Sequence, residues 1–374
     1  MQLLISTDKS LMLILSCLLF SCSVDDSDIS LPQISEDEVY YLVSHGPSTD
    51  AGFWRDVLTE ARISAEELGV GLIPLHPATE TSGALLNFQM NQAVDANPPG
   101  IVGTVWGEGM QEVIFKANDL EIPVAAINVY PNPTEYTDGT ANLLLYSGQN
   151  DYLAARDIAM GLVCATAGLR FANNRCGERT VQDVFNEFYS IYTIEVVCLV
   201  HQQADSVFQR CNGFKDVLVD ELLLPIEQYS EITWNASNLG EGAQQVEAYY
   251  ASKPDIERFL IISQGTTATA DYLAANLSNE EIAKTKIAAF DTSSILCDAL
   301  DSGRLEFLSG QGHRLQGKKA LEYLYYYVKN GELPVEGMGP DGNPDPRWIV
   351  SPDGYPWYKT GPNLLYDDCI EPTE

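Results

Sequence analysis

The chain has 374 residues, 45% of them hydrophobic, which is too long for one small core and suits two lobes or one large α/β unit. It carries 21 basic against 53 acidic side chains, a net charge of −32. That balance excludes nucleic acid as a partner, which needs Lys and Arg to neutralise phosphates, and disfavours anionic membrane surfaces.

The first ten residues, MQLLISTDKS, lead into the apolar run LMLILSCLLF, then SCS and the acidic VDDSDIS. The run is too short to span a bilayer and fits the core of a signal peptide over residues 1–23, cleaved after Ser23. LFSC, ending at Cys22, resembles a bacterial lipobox, which would leave Cys22 lipidated. Both readings predict export to the periplasm or the extracellular side, free in the first case and lipid-anchored in the second.

Beyond the leader, strand-like and helix-like segments alternate. VYYLVSH reads as a buried strand, followed by the helix FWRDVLTEARISAEELG with Trp54, Val57, Leu58, Ala61, Ala65 and Leu68 at helical spacing. Adjacent positions on a helix point about 100° apart, so of the neighbours Phe53 and Trp54 one is expected to face something other than the core. Strand VGLIPLH, helix TSGALLNFQMNQAVDA, strand GIVGTVW, helix GMQEVIFKANDLE and strand IPVAAINV come next. This rhythm predicts βαβ units on a parallel sheet.

The pattern then repeats from NLLLYSG and the helix NDYLAARDIAMGLVCATAG. The less regular stretch LRFANNRCGERTVQDVFNEFYSIY reads as an insertion stapled by Cys176. Strands TIEVVCLVH, EITWN, RFLIIS and KIAAFD alternate with helices around SVFQRCNGFKDVLVDELL, GEGAQQVEAYYAS, TATADYLAANL and SSILCDALDSG. LEFLSGQ and the helix GHRLQGKKALEYLYYYVKNG follow, and the tail from about Glu332 is rich in Pro, Gly and Asp. The predicted fold is α/β, with two doubly wound parallel-sheet lobes joined by a hinge. The first lobe is expected over 36–147 plus 312–332, and the second over 148–311 plus 333–374.

Six cysteines follow the leader, all from Cys164 onward and none in a CxxC pair, which suits disulfides in an oxidising compartment. The sequence-local pairing, one of fifteen, joins Cys164 to Cys176, Cys198 to Cys211 and Cys297 to Cys369. His45, His76, His201 and His313 lie far apart with no HxxH or HExxH spacing, and no GxSxG, Walker A or GxGxxG follows a strand. A binding protein rather than an enzyme is expected, without metal or cofactor. His45 and His313 read as polar rim contacts of a cleft.

Ligands of open α/β sheets bind beyond the carboxyl ends of strands, so the residues there are the candidate site. Read together, those corners resemble exported type I solute-binding proteins of the ribose- and galactose-binding group. The resemblance spans most of residues 37–332: Phe53-Trp54, ANDLEIPVAAINV, YSGQND, RCNGF, the two strand ends at Gln264 and Asp291, and SGQGHRLQG with Gln311 six residues before Gly317. It implies capture of a small sugar-like ligand by hinge closure, with Phe53 and Trp54 stacking on a sugar ring and Trp234 supplying a second face. Asn150, Gln264, Asp291 and Gln311 would hydrogen-bond it; Trp106, Asn128, Gln149, Phe208 and Arg210 complete the expected ligand-binding set. Asn128 stands where the family often has Asp, and Phe208 where it has a ligand-gripping Arg. The implied partner is a membrane transporter permease, or alternatively a membrane sensor, with the chain as a monomer. A glycan-processing enzyme is the third reading.

Overall fold

The computed structural model describes residues 38–47, 52–78, 83–131, 142–200, 205–233, 239–263, 278–351, 354–367 and 369. The chain alternates β1 (Val39–Val43), α1 (Phe53–Leu68), β2 (Gly71–Leu75), α2 (Gly83–Asp95), β3 (Ile101–Thr104), α3 (Met110–Asp119), β4 (Val124–Ile127) and β5 (Leu145–Gly148). Then follow α4 (Asp151–Thr166), the short strands β6 (Phe171–Ala172), β7 (Arg175–Cys176) and β8 (Arg179–Thr180), and α5 (Val181–Ile191). The rest comprises β9 (Ile194–Val200), α6 (Asp205–Lys215), β10 (Tyr229–Thr233), α7 (Leu239–Ser252), β11 (Arg258–Ser263), α8 (Asn279–Lys284), β12 (Thr285–Phe290), α9 (Ser294–Asp301), β13 (Phe307–Gly310), α10 (His313–Asn330), β14 (Trp348–Val350), β15 (Pro356–Lys359) and β16 (Asn363–Leu365).

Two main sheets result, ordered β14-β15-β5-β4-β3-β1-β2 and β10-β9-β11-β12-β13-β16. Their inner strands are parallel, and only β14 and β16 run antiparallel to their neighbours. Both faces of each sheet are covered, which is why the strands read as continuous apolar runs. In the first sheet Val43, Ile101 and Val124 pack toward α2 and α3, while Leu42, Val102 and Ala125 pack toward α1 and α10. In the second, Val196, Cys198 and Phe290 face α4 to α6, while Val197, Leu199 and Ala289 face the opposite side with α9.

The tail departs from the expectation that put 333–374 in the second lobe. β15 pairs with β5 and extends the first sheet, and only β16 joins the second, beside β13. Short strands of a Pro- and Gly-rich tail carry little periodicity, so sheet membership is fixed by tertiary pairing. The stretch read as an irregular insertion is ordered too. β6 to β8 form a small antiparallel sheet, and Thr180 caps α5 by accepting a hydrogen bond from the Asp183 amide at 3.1 Å. The cysteines are joined as 164–176, 198–211 and 297–369, tying α4 to β7, β9 to α6, and α9 to the tail.

Three segments pass between the two sheets: 148–151, 310–313 and 359–363. They are bonded to one another. The Thr360 amide donates to Gly148 O at 3.0 Å, its hydroxyl donates to Gln311 O at 2.6 Å, and Trp357 Nε1 donates to Gly148 O at 2.8 Å. At Gly312, φ is +63° and an added Cβ would lie 2.4 Å from Thr360 O, so only glycine fits this crossing.

Candidate functional site

The strand carboxyl ends of the first lobe bring a wall of rings together. α1 starts at Phe53, so Trp54 points inward and is 8% exposed, while Phe53 is only half-buried. The two rings meet edge-on, with centroids 5.0 Å apart. His45, just past β1, packs edge-on against Trp54 at 4.8 Å and lies 5.9 Å from Trp106, just past β3. On the other side, Phe53 lies 5.4 Å from the His313 ring at the start of α10. The chain passes so close over Trp54 that a Cβ on Gly46 would come within 2.1 Å of the indole.

Charge is placed at one end of this wall. Asp56, in the first turn of α1, lies 3.3 Å from His313 Nε2 and 3.4 Å from Arg314 Nε. Burial pushes the Asp56 carboxyl up, but the His313 hydrogen bond and the charges of His313 and Arg314 outweigh it and hold it below the usual range. At the other end, burial pushes the His45 imidazole down to about 4, so this ring is neutral at pH 7. Its Nδ1 is shut off from solvent and has no hydrogen-bond partner among the described residues.

The second lobe contributes a buried polar cluster at the crossing. Arg210 donates from Nε to Asp151 Oδ1 at 2.7 Å, and its guanidinium lies 4.0 Å from the centre of the Phe290 ring. Gln149 Nε2 also donates to Asp151 Oδ1, at 3.1 Å. Burial raises the Asp151 carboxyl, and the Arg210 charge opposes that shift. Gln311 donates to the Asp291 carboxylate. The Tyr146 hydroxyl lies 3.0 Å from Asn128 O and 2.7 Å from Gln149 O, linking a first-lobe strand end to the hinge. Asn128 and Asp291 occupy matching places, one residue past β4 and β12, with φ of +68° and +74°. Such backbone is uncommon outside Gly, though Asn and Asp tolerate it best, and it tends to collect at binding sites.

The expected residues therefore divide. Trp106, Asn128, Asn150 and Asp291 sit just past strand ends and Phe53 at the start of α1, all half-buried. Trp54 is core, supporting Phe53 from behind. Asn150 caps α4, its Oδ1 accepting from the Leu153 amide at 3.0 Å. Ser293, rather than Asp291, caps α9. Gln149 and Gln311 are buried at the hinge, and Arg210 is held by Asp151 as a support for the crossing. Phe208 is exposed on α6, off the face that carries Val207, Arg210 and Cys211. Trp234 and Gln264 lie outside the described residues. Sequence reasoning set His45 and His313 aside as rim contacts and did not mark Asp56 or Asp151. The available signal was position: His45 stands just past β1, and Asp56, Asp151 and His313 stand at or near the start of a helix that follows a strand.

A cavity of about 700 Å³ lies elsewhere, between α1, α10 and residues 339–347. Two of its lysines, Lys319 and Lys329, are paired with Glu322 and Glu38, and it holds none of the strand-end residues. Among the described residues, no group of three or more His, Cys, Asp or Glu is placed to hold a metal ion, and no helix is long and apolar enough to cross a membrane.

The sequence profile of the periplasmic binding protein domain matches residues 43–333. The chain belongs to the periplasmic binding protein family. Solved structures share this binding protein's fold. A carbohydrate transporter from Acidothermus cellulolyticus in complex with myo-inositol is 20% identical, with a TM-score of 0.61 over 88% of this chain and 94% of that one. A glucose-galactose binding protein from Geobacillus stearothermophilus is 19% identical, with a TM-score of 0.62 over 89% and 98%. A carbohydrate transporter solute binding protein from Agrobacterium radiobacter in complex with D-arabinose is 16% identical, with a TM-score of 0.63 over 88% and 94%. Curated protein sequences yield no match to this binding protein.

Proposed function

We propose that this is an exported, non-enzymatic sugar-binding protein. It captures a small sugar or polyol between its two lobes and delivers it to a membrane transporter. The observation that carries the reading is the wall formed by Phe53, Trp106 and the two imidazoles at the strand carboxyl ends of the first lobe. Sugars present apolar C–H faces that stack on such rings and hydroxyls that bond to amides and carboxylates. Asn128, Asn150 and Asp291 supply those polar groups from strand ends in both lobes. Family membership supports export, and the solved relatives that hold myo-inositol and D-arabinose support the ligand class. The three bonded crossings suit a hinge, with lobe closure trapping the ligand.

Calorimetric titration of the oxidised protein with pentoses, hexoses and polyols tests this. Binding of one of them at micromolar affinity or tighter, with the sugar recovered unchanged, is expected. Release of a hydrolysis product, or no binding across the set, contradicts it.

A further inference from the structure

His45 has no packing reason to be a histidine. Its ring fills the space between Trp54 and Trp106, and a phenyl ring would fill the same space. A histidine there carries a buried Nδ1 without a partner, and an unpaired buried nitrogen costs free energy that a hydrocarbon would not. The half-buried Trp106 and the mostly buried His45 ring meet where β1 and β3 end, which is where open α/β sheets receive ligands. The ring is kept uncharged by burial, and with Nδ1 shut off from solvent it is Nε2 that a ligand hydroxyl can reach, as donor or acceptor according to the tautomer. It gives no charge-assisted bond to a carboxylate.

Resting on the sugar-binding reading above, we propose that His45 is a specificity-determining residue. Its imidazole hydrogen-bonds a hydroxyl of a neutral sugar or polyol lying against Trp106, and it selects such ligands over acidic sugars.

The test titrates wild type, His45→Phe and His45→Gln at pH 7. The probes are D-galactose, D-glucose, D-arabinose and myo-inositol, with D-glucuronate and D-galacturonate as acidic counterparts. Wild type is expected to bind a neutral probe at least tenfold more tightly than either acid. His45→Phe should lose tenfold or more in affinity while its melting temperature is no lower than that of wild type. His45→Gln restores an amide donor and acceptor and should recover most of the loss. Equal binding by wild type and His45→Phe overturns the proposal. So does an equal loss in both variants, or an acid bound as tightly as the neutral sugars. A wild type that binds no probe overturns the sugar-binding reading itself, and this inference with it.

Discussion

Of the neighbouring rings at the start of α1, Trp54 lies in the core and Phe53 is half-buried, and the proposed function gives Phe53 to the ligand. The sequence shows that two adjacent aromatics cannot share one stripe, but it does not show which one turns inward; the helix start at Phe53 decides that. Trp54→Ala should cost roughly 3–5 kcal/mol of stability in urea unfolding, as loss of a buried aromatic does. Phe53→Ala should unfold near the wild-type midpoint and weaken sugar binding at least tenfold. The reverse pattern would reassign the two rings. At His45 the folded pKa is pushed down to about 4, against an ordinary value near 6.5. Between pH 7 and pH 5 the unfolded chain takes up a proton there that the folded chain refuses. Stability held above pH 6.5 is therefore lost as pH falls, by up to about 2 kcal/mol at pH 5 from this one group. Unfolding of wild type and His45→Phe at both pH values checks this, because the other titrating groups are common to the two. The variant should lose less than wild type on acidification, and an identical loss would show that His45 titrates normally.

At the scale of elements, each lobe depends on a pair of helices brought into backbone contact by a glycine. A Cβ on Gly317 of α10 would lie 2.3 Å from Val57 O of α1, and one on Gly213 of α6 would lie 2.1 Å from Tyr152 O of α4. Neither backbone oxygen can swing aside as a side chain would. Gly317→Ala and Gly213→Ala should each destabilise by about 1–3 kcal/mol in denaturant titration, through forced separation of the pair. A neutral effect would mean that the helices slide freely. Both glycines sit in stretches that resemble family corners, RCNGF and SGQGHRLQG, so their positions are legible in the sequence. The helices and parallel strands are legible as well, because a 3.6-residue stripe and unbroken apolar runs are strong signals. The β14–β15 extension of the first sheet is not. Trp348, Trp357 and Tyr358 read only as aromatics in a Pro- and Gly-rich tail, and their burial depends on pairing with β5, some 200 residues earlier. Arg210 shows the same limit at the site. Its residue type suggests a ligand grip, but Asp151, fifty-nine positions away, takes up its charge.

Across the whole molecule, the two sheets are joined through the three bonded crossings. The bonds from Thr360 to Gly148 and Gln311 hold those crossings side by side, so bending at one requires bending at all. On the proposed function, closure of the lobes on a small sugar would be a single two-state motion whose closed state the ligand stabilises by its contacts with both lobes. The central claim is that the strand ends of the two lobes close on a sugar. Small-angle X-ray scattering of the oxidised protein, alone and with saturating D-galactose, D-arabinose or myo-inositol, tests it most directly. A fall in the radius of gyration with the sugar that binds by calorimetry, and no change with the others, is the predicted result. A bound sugar that leaves the scattering curve unchanged would contradict it.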